Sequence, residues 1–92
     1  MTLNKDLSVK AQYRAKHMTE FSHDGWRDAF KDTGYTHYGE NLARNFKKAD
    51  EMMKSFINSP SHYRNLINPN FTEFGVGYNK KTKVLVVLFA GK

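Results

Sequence analysis

No cysteine occurs in the 92 residues, and that absence removes disulfide staples and thiolate metal sites together. It assigns no compartment, because a thiol-free chain tolerates oxidising and reducing surroundings alike. Proline is scarce: two residues, Pro60 and Pro69, both in one stretch. Acid is scarce relative to base. Nine Asp and Glu stand against fifteen Lys and Arg, for a formal net charge of +6. Such a balance favours anionic partners, whether phosphate backbones, acidic lipid surfaces or acidic glycans, and equally serves as a solubilising surface. The cations are scattered apart from short clusters at Lys47-Lys48 and at Lys80-Lys81 with Lys83 beside them. Long apolar runs are missing. Val84 to Ala90 is far too short to cross a membrane, so no transmembrane segment is expected. The opening Met1 to Leu7 lacks the apolar core of a signal peptide. No GxxxxGK[ST], HExxH or CxxC motif, internal repeat or low-complexity segment is present. Nothing matches a recognised nucleic-acid-binding motif, and no specific nucleic-acid partner is expected.

What remains is one domain over residues 1–92, with seven Phe, five Tyr and one Trp to give a small core weight. Leu7, Ala11, Ala15 and Met18 recur at helical spacing and Phe21 continues the stripe, while Lys5, Asp6, Lys10, Arg14 and Lys16 face elsewhere. With Asn4 as N-cap, this predicts a helix over Lys5 to Glu20. Asp24-Gly25 is a turn pair, followed by a short helix from Gly25 to Asp32 that stops at Gly34. Tyr35 to Asn41 reads as irregular or a short strand, and Leu42 to Phe46 is ambiguous. Ala49, Met52, Met53 and Phe56 form one face of a helix opened by Lys48 and ended before Pro60. Ser59 caps the next helix, with Pro60 at its first position and Tyr63, Leu66 and Ile67 as its apolar face. Asn68-Pro69-Asn70 ends it. Two strands follow, Glu73 to Tyr78 and Lys83 to Ala90, around an Asn79-Lys80-Lys81-Thr82 turn. The second is continuously apolar, as in a strand covered on both faces. An α+β protein follows: an α-β-α sandwich around a small antiparallel sheet.

Four histidines are present. His17 belongs to the helix surface and His37 to a loop. His23 and His62 each stand at a junction between elements, where side chains converge on clefts, and Glu40 stands at another. Two imidazoles and a carboxylate suffice to hold zinc or another divalent cation with water in the fourth position. The spacing fits no local metal motif, and each residue also has a plain structural reading. His62 is then a polar side chain in a helix's first turn, and Glu40 a loop acid accepting backbone N–H groups.

Phe21-Ser22-His23, Gly39-Glu40-Asn41-Leu42-Ala43, Ser59-Pro60-Ser61-His62, Asn65 to Glu73 and Gly75-Val76-Gly77 resemble, in that order, the motifs of the CAP superfamily. That superfamily, whose domain is also called SCP, includes the cysteine-rich secretory, antigen 5 and pathogenesis-related proteins. The resemblance is strongest to its cysteine-free bacterial branch and covers Leu3 to Phe89. It implies the α-β-α sandwich and a cleft where two histidines and two acids gather, the histidines holding a divalent metal in several members. His23 and His62 match those histidines and Glu40 matches the acid of Gly-Glu-Asn; Asn41, Ser59 and Tyr38 are further candidates to line the cleft. By the same resemblance the protein is expected to be secreted or extracellular.

Three departures stand out. The second acid has no match, with Ser59 in its place and Phe56 in that of the family's Trp. Tyr63 precedes Arg64, where bacterial relatives place Arg directly after His, which turns the guanidinium by about 100° on a helix. The family's first helix has no counterpart, so the domain reads as truncated at its N-terminus, with apolar surface left bare. A second copy or another protein is expected to cover that face. The leading functional expectation is a binding module whose cleft takes a cation, a small anionic or lipid-like ligand, or a peptide, without turnover. The alternatives are a metal-dependent hydrolase, with His23 and His62 on the cation and Glu40 as candidate catalytic base, and a structural or assembly protein of a phage or cell surface with a vestigial cleft.

Overall fold

In the computed structural model, which describes residues 1–31 and 33–92, the elements run in the order β1 (Thr2–Leu3), α1 (Lys5–His17), a 3-10 helix (Trp26–Phe30), β2 (His37–Arg44), α2 (Ala49–Asn58), α3 (Pro60–Ile67), β3 (Glu73–Asn79) and β4 (Val84–Gly91). β4 decides the architecture. It lies between β2 and β3, antiparallel to both, and is buried along its whole length. Its side chains alternate. Val84, Val86, Leu88 and Ala90 pack with Leu7, Ala11, Ala15, Phe30 and Leu42, whereas Leu85, Val87 and Phe89 pack with Phe56 and Phe71. Each face thus buries its own apolar set. α1 and the 3-10 helix form one covering layer, α2 and α3 the other: the α-β-α sandwich.

The expected antiparallel sheet gains a fourth strand that makes it mixed: β1 pairs parallel to β3 through Thr2↔Glu73 and Leu3↔Phe74. Two residues carry no periodicity, so pattern alone could not mark them. β2 is a single strand across the Tyr35–Phe46 stretch, paired with β4 from His37↔Gly91 to Arg44↔Val84. Gly-Glu-Asn is a poor strand former, and pairing to β4 overrides that preference. The segment expected as a helix over 25–32 is a 3-10 turn entered through Gly25 at φ 79; its last position, Asp32, lies outside the described residues. Gly34 follows at φ 75, in the left-handed region that glycine tolerates.

α1 starts where expected, with the Asn4 side chain accepting the Leu7 N–H at 2.9 Å. It ends at His17 rather than Glu20. The Met18 N–H closes the last turn on the Arg14 carbonyl, and Asn79 Nδ2 satisfies the Ala15 carbonyl at 3.0 Å, so no further turn is required. Phe21 therefore leaves the stripe and is 39% exposed beneath the Arg44 guanidinium, 4.6 Å from its ring centre. Of the expected apolar face of α3, Leu66 packs on the core while Tyr63 and Ile67 are 42% and 57% exposed.

α1 also covers the edge of β3 that β1 is too short to pair. Val76 N–H donates to Ser8 Oγ at 3.2 Å, Tyr78 N–H to Gln12 Oε1 at 2.8 Å, and Gln12 Nε2 to the Tyr78 carbonyl at 2.9 Å. An edge closed this way offers no template to another strand.

Asn4, Tyr35 and Glu73 tie the start of α1, the approach to β2 and the start of β3 together. Tyr35 O–H donates to Glu73 Oε2 at 2.7 Å and Asn4 Nδ2 to Oε1 at 2.8 Å. The Tyr35 hydrogen bond, then that of Asn4, holds the Glu73 carboxyl below the usual carboxylate range. The same bond, with burial and the Glu73 charge, raises Tyr35. A depressed folded-state pKa contributes stability that is present above the unfolded carboxylate value and is lost as pH falls through the folded one. Wild type should therefore exceed Glu73→Gln in stability at neutral pH, with the gap closing on acidification through the carboxylate range. Urea titrations at a series of pH values read this directly, and a gap that stays constant refutes it.

Candidate functional site

β2 is an edge strand, so side chains from both covering layers can meet around it. Its alternation points Glu40 towards α1 and Asn41 towards α3. The Glu40 side chain is 1% exposed. A carboxylate so buried needs a cation and hydrogen bonds. Arg14 of α1, 13% exposed, supplies both, with Nε 2.5 Å from Oε2 and Nη2 3.0 Å from Oε1. The same guanidinium reaches the Asp24 carbonyl through Nη1 at 3.2 Å and the Ser22 carbonyl through Nη2 at 3.5 Å. The loop around His23 is thus held by the group that neutralises Glu40.

His23 completes the cluster, its Nδ1 2.9 Å from Glu40 Oε1 and its side chain 54% exposed. An ionised carboxylate only accepts, so Nδ1 is the donor in this bond, and the tautomer with that proton has its lone pair on Nε2. A carboxylate behind a histidine is the arrangement that orients metal-ligating imidazoles.

His62 comes from the other layer, in the first turn of α3. Its ring stands edge-on to Phe56 at 5.1 Å, and its Nδ1 is buried with no hydrogen-bond partner among the described residues. Burial, then the neighbouring His23, pushes its pKa below the usual histidine value, which favours the neutral ring. Asn41, fully buried, holds it in place: Asn41 Nδ2 donates to the His62 carbonyl at 3.3 Å, and Asn65 Nδ2 reaches Asn41 Oδ1 at 2.8 Å and the Glu40 carbonyl at 3.2 Å.

The remaining candidates sit differently. Ser59 occupies the N-cap position of α3, yet its side chain makes no capping hydrogen bond, contrary to expectation. Tyr38 stacks on Phe30 at 4.8 Å and borders a depression of about 330 Å³ with Trp26, Arg27, Thr36, His37, Asn68 and Phe71. Glu40, expected to share a cation with the imidazoles, has its two oxygens engaged by Arg14 and His23. Among the described residues no group of three or more His, Cys, Asp or Glu is arranged to hold a metal ion.

Arg14 and Asn65 are the residues that sequence reasoning did not assign to the site. Arg14 was expected to face away from the core. Its position directly before Ala15, on the border of the apolar stripe, was the available signal, together with the cation that a buried acid demands. Asn65 stands inside the Asn65 to Glu73 motif, which by itself gives it no role.

Residues 1–90 match the CAP family, the Cysteine-rich secretory protein family. The chain belongs to the CAP family. Its similarity to the Bacillus subtilis (strain 168) protein YkwD is 36% identity over 98 aligned residues, covering 99% of this chain and 38% of YkwD. Among solved structures, an extracellular SCP-domain protein of Bacillus anthracis str. Ames superimposes with a TM-score of 0.89 at 26% identity, over 100% of this chain and 34% of that one. A cysteine-rich secretory protein (SAV1118) of Staphylococcus aureus gives 0.84 at 24% identity, over 100% and 32%. This CAP domain thus spans about a third of the length of these relatives. As in the cysteine-free branch, it holds its fold with no disulfide.

Proposed function

We propose that this CAP domain is a binding module without turnover, centred on His23, Glu40 and His62, for a small anionic or lipid-like group. The observation that carries the reading is the buried Nδ1 of His62, unpartnered among the described residues, on a ring in electrostatic range of a His23 that Glu40 orients. An unpaired nitrogen so enclosed disfavours the protonated ring, and a ligand donor or cation would be met by the other nitrogen, Nε2. For a divalent cation, zinc foremost, the imidazoles of His23 and His62 would be its ligands, with Glu40 bonded to His23 from behind. The cation would supply positive charge for an anionic ligand group. A hydrolase reading is weaker: at 1% exposure and paired with Arg14, Glu40 is poorly disposed to meet and deprotonate a water. An extracellular setting, as described for the Bacillus anthracis relative, is part of the proposal.

The test is calorimetric titration with zinc of wild type, His23→Ala and His62→Ala. Binding by wild type, weakened about tenfold or more in each variant, is expected. The metal-supported form of the reading fails if wild type and His62→Ala bind alike or if neither binds.

A further inference from the structure

The loops that carry the two short lysine clusters noted in the sequence are joined in space. β2 and β3 both end opposite Val84, through Arg44↔Val84 and Asn79↔Val84. The loop after β2 is joined to the β3–β4 turn by a hydrogen bond from Asn45 N–H to the Lys83 carbonyl at 3.1 Å. Arg44, Lys47, Lys48, Lys80, Lys81 and Lys83 therefore gather at one end of the sheet, and all are exposed. Among the described residues none of them forms an ion pair. Three acids adjoin these cations along the chain or through Arg44: Asp50 and Glu51 in the first turn of α2, where Glu51 accepts the Lys47 backbone N–H at 3.3 Å, and Glu20, next to the Phe21 that lies against Arg44. Cation exceeds acid at this end, and much of the net charge of +6 is concentrated there.

The β3–β4 turn is built to hold its lysines. Asn79 Oδ1 accepts from Lys81 N–H at 2.9 Å and Thr82 N–H at 3.3 Å, and the Asn79 carbonyl accepts from Lys83 N–H at 2.8 Å. Lys83 sits at φ 62, where glycine is the unstrained residue. Conformation alone disfavours a side chain there, yet a lysine occupies the position.

We infer that this end of the sheet is a docking surface for a linear, base-free polyanion, a flexible chain of repeating anionic groups. Five of the six cations are lysines, point charges on rotatable stems that follow such a chain rather than clamp one planar group. The two loops themselves offer no exposed apolar side chain to insert into lipid: their one aromatic, Phe46, is half-buried with its ring centre 6.0 Å from that of Tyr78, and the exposed Phe21 beside them has the Arg44 guanidinium over its ring. For the same reason they offer no platform for stacking nucleobases. The surface is independent of the histidine site, and either assignment can fail alone.

The experiment is titration with inorganic polyphosphate across a salt series. It uses wild type, a Lys80→Gln/Lys81→Gln/Lys83→Gly variant, and a Lys5→Gln/Lys31→Gln/Lys92→Gln control that removes the same charge elsewhere. Wild type should bind, with affinity falling steeply as salt rises. The turn variant should lose about tenfold or more, its logarithmic salt slope smaller by about 2, from three charges at roughly 0.7 each. The control should keep most of its affinity. Lys83→Gly alone should melt no lower than wild type while binding more weakly, which separates charge from folding. Equal losses in both triple variants, no polyphosphate binding at low salt, or tighter binding to anionic vesicles or single-stranded DNA of matched charge would each overturn the assignment.

Discussion

Glu40→Ala should lower the unfolding free energy by about 3–5 kcal/mol, because it leaves the Arg14 guanidinium, 13% exposed, without its counter-charge. Against a total of about 5–15 kcal/mol for a domain of this kind, that is a large fraction of the stability. The reverse change, Arg14→Met, should cost a similar amount, since it leaves a carboxylate at 1% exposure with His23 alone. Removing both charges at once, as Arg14→Met/Glu40→Leu, should cost much less than the two single changes added together, because no buried charge is then left unpaired. Urea denaturation of the three variants gives the comparison. Additive losses would mean that the pair is not energetically coupled. The double variant also separates fold from site. It should keep the sandwich yet free the His23 loop, because the Arg14 bonds to the Asp24 and Ser22 carbonyls and the Glu40 bond to His23 are gone.

Gly77→Ala is expected to cost about 3 kcal/mol, the upper end of ordinary overpacking. A Cβ on Gly77 would fall on the backbone of Ala11 and Gln12, and one on Gly75 on that of Leu7 and Ser8. Backbone cannot rotate aside as a side chain can, so α1 would have to lift from the sheet. Lifting it also strains the Gln12 bonds to Tyr78 that close the edge of β3. Gly39→Ala is the comparison. Its Cβ would meet the Phe71 ring at 3.0 Å and Asn65 Oδ1 at 3.2 Å, groups that can give way, and about 1 kcal/mol is expected. Thermal melts of the Gly39, Gly75 and Gly77 variants test the ranking. A Gly77→Ala protein as stable as Gly39→Ala would mean that α1 does not lie against β3 as described.

Much of the architecture was legible because its causes are local. The unbroken run in β4 announced a strand buried on both faces, and Pro60 and Asn68-Pro69-Asn70 marked helix boundaries by the conformations proline excludes. The motif order carried His23, Glu40 and His62. β2 was not legible as one strand, because Gly39, Glu40 and Asn41 take their conformation from β4 rather than from their own preferences. The early end of α1 likewise depends on Asn79, a residue far along the chain that satisfies a helix carbonyl.

Composition and short-range pattern by themselves determined the layered class, the helix limits near the prolines, the absence of thiol chemistry and the excess of positive charge. Tertiary structure alone decided that Arg14 is the counter-ion of Glu40, that His62 Nδ1 has no partner among the described residues, and that the loops carrying two distant lysine clusters are joined at one end of the sheet. The division has a physical cause: periodicity reports which face of an element avoids water, whereas a buried charge finds its counter-charge only when the packing of separate elements brings the two together.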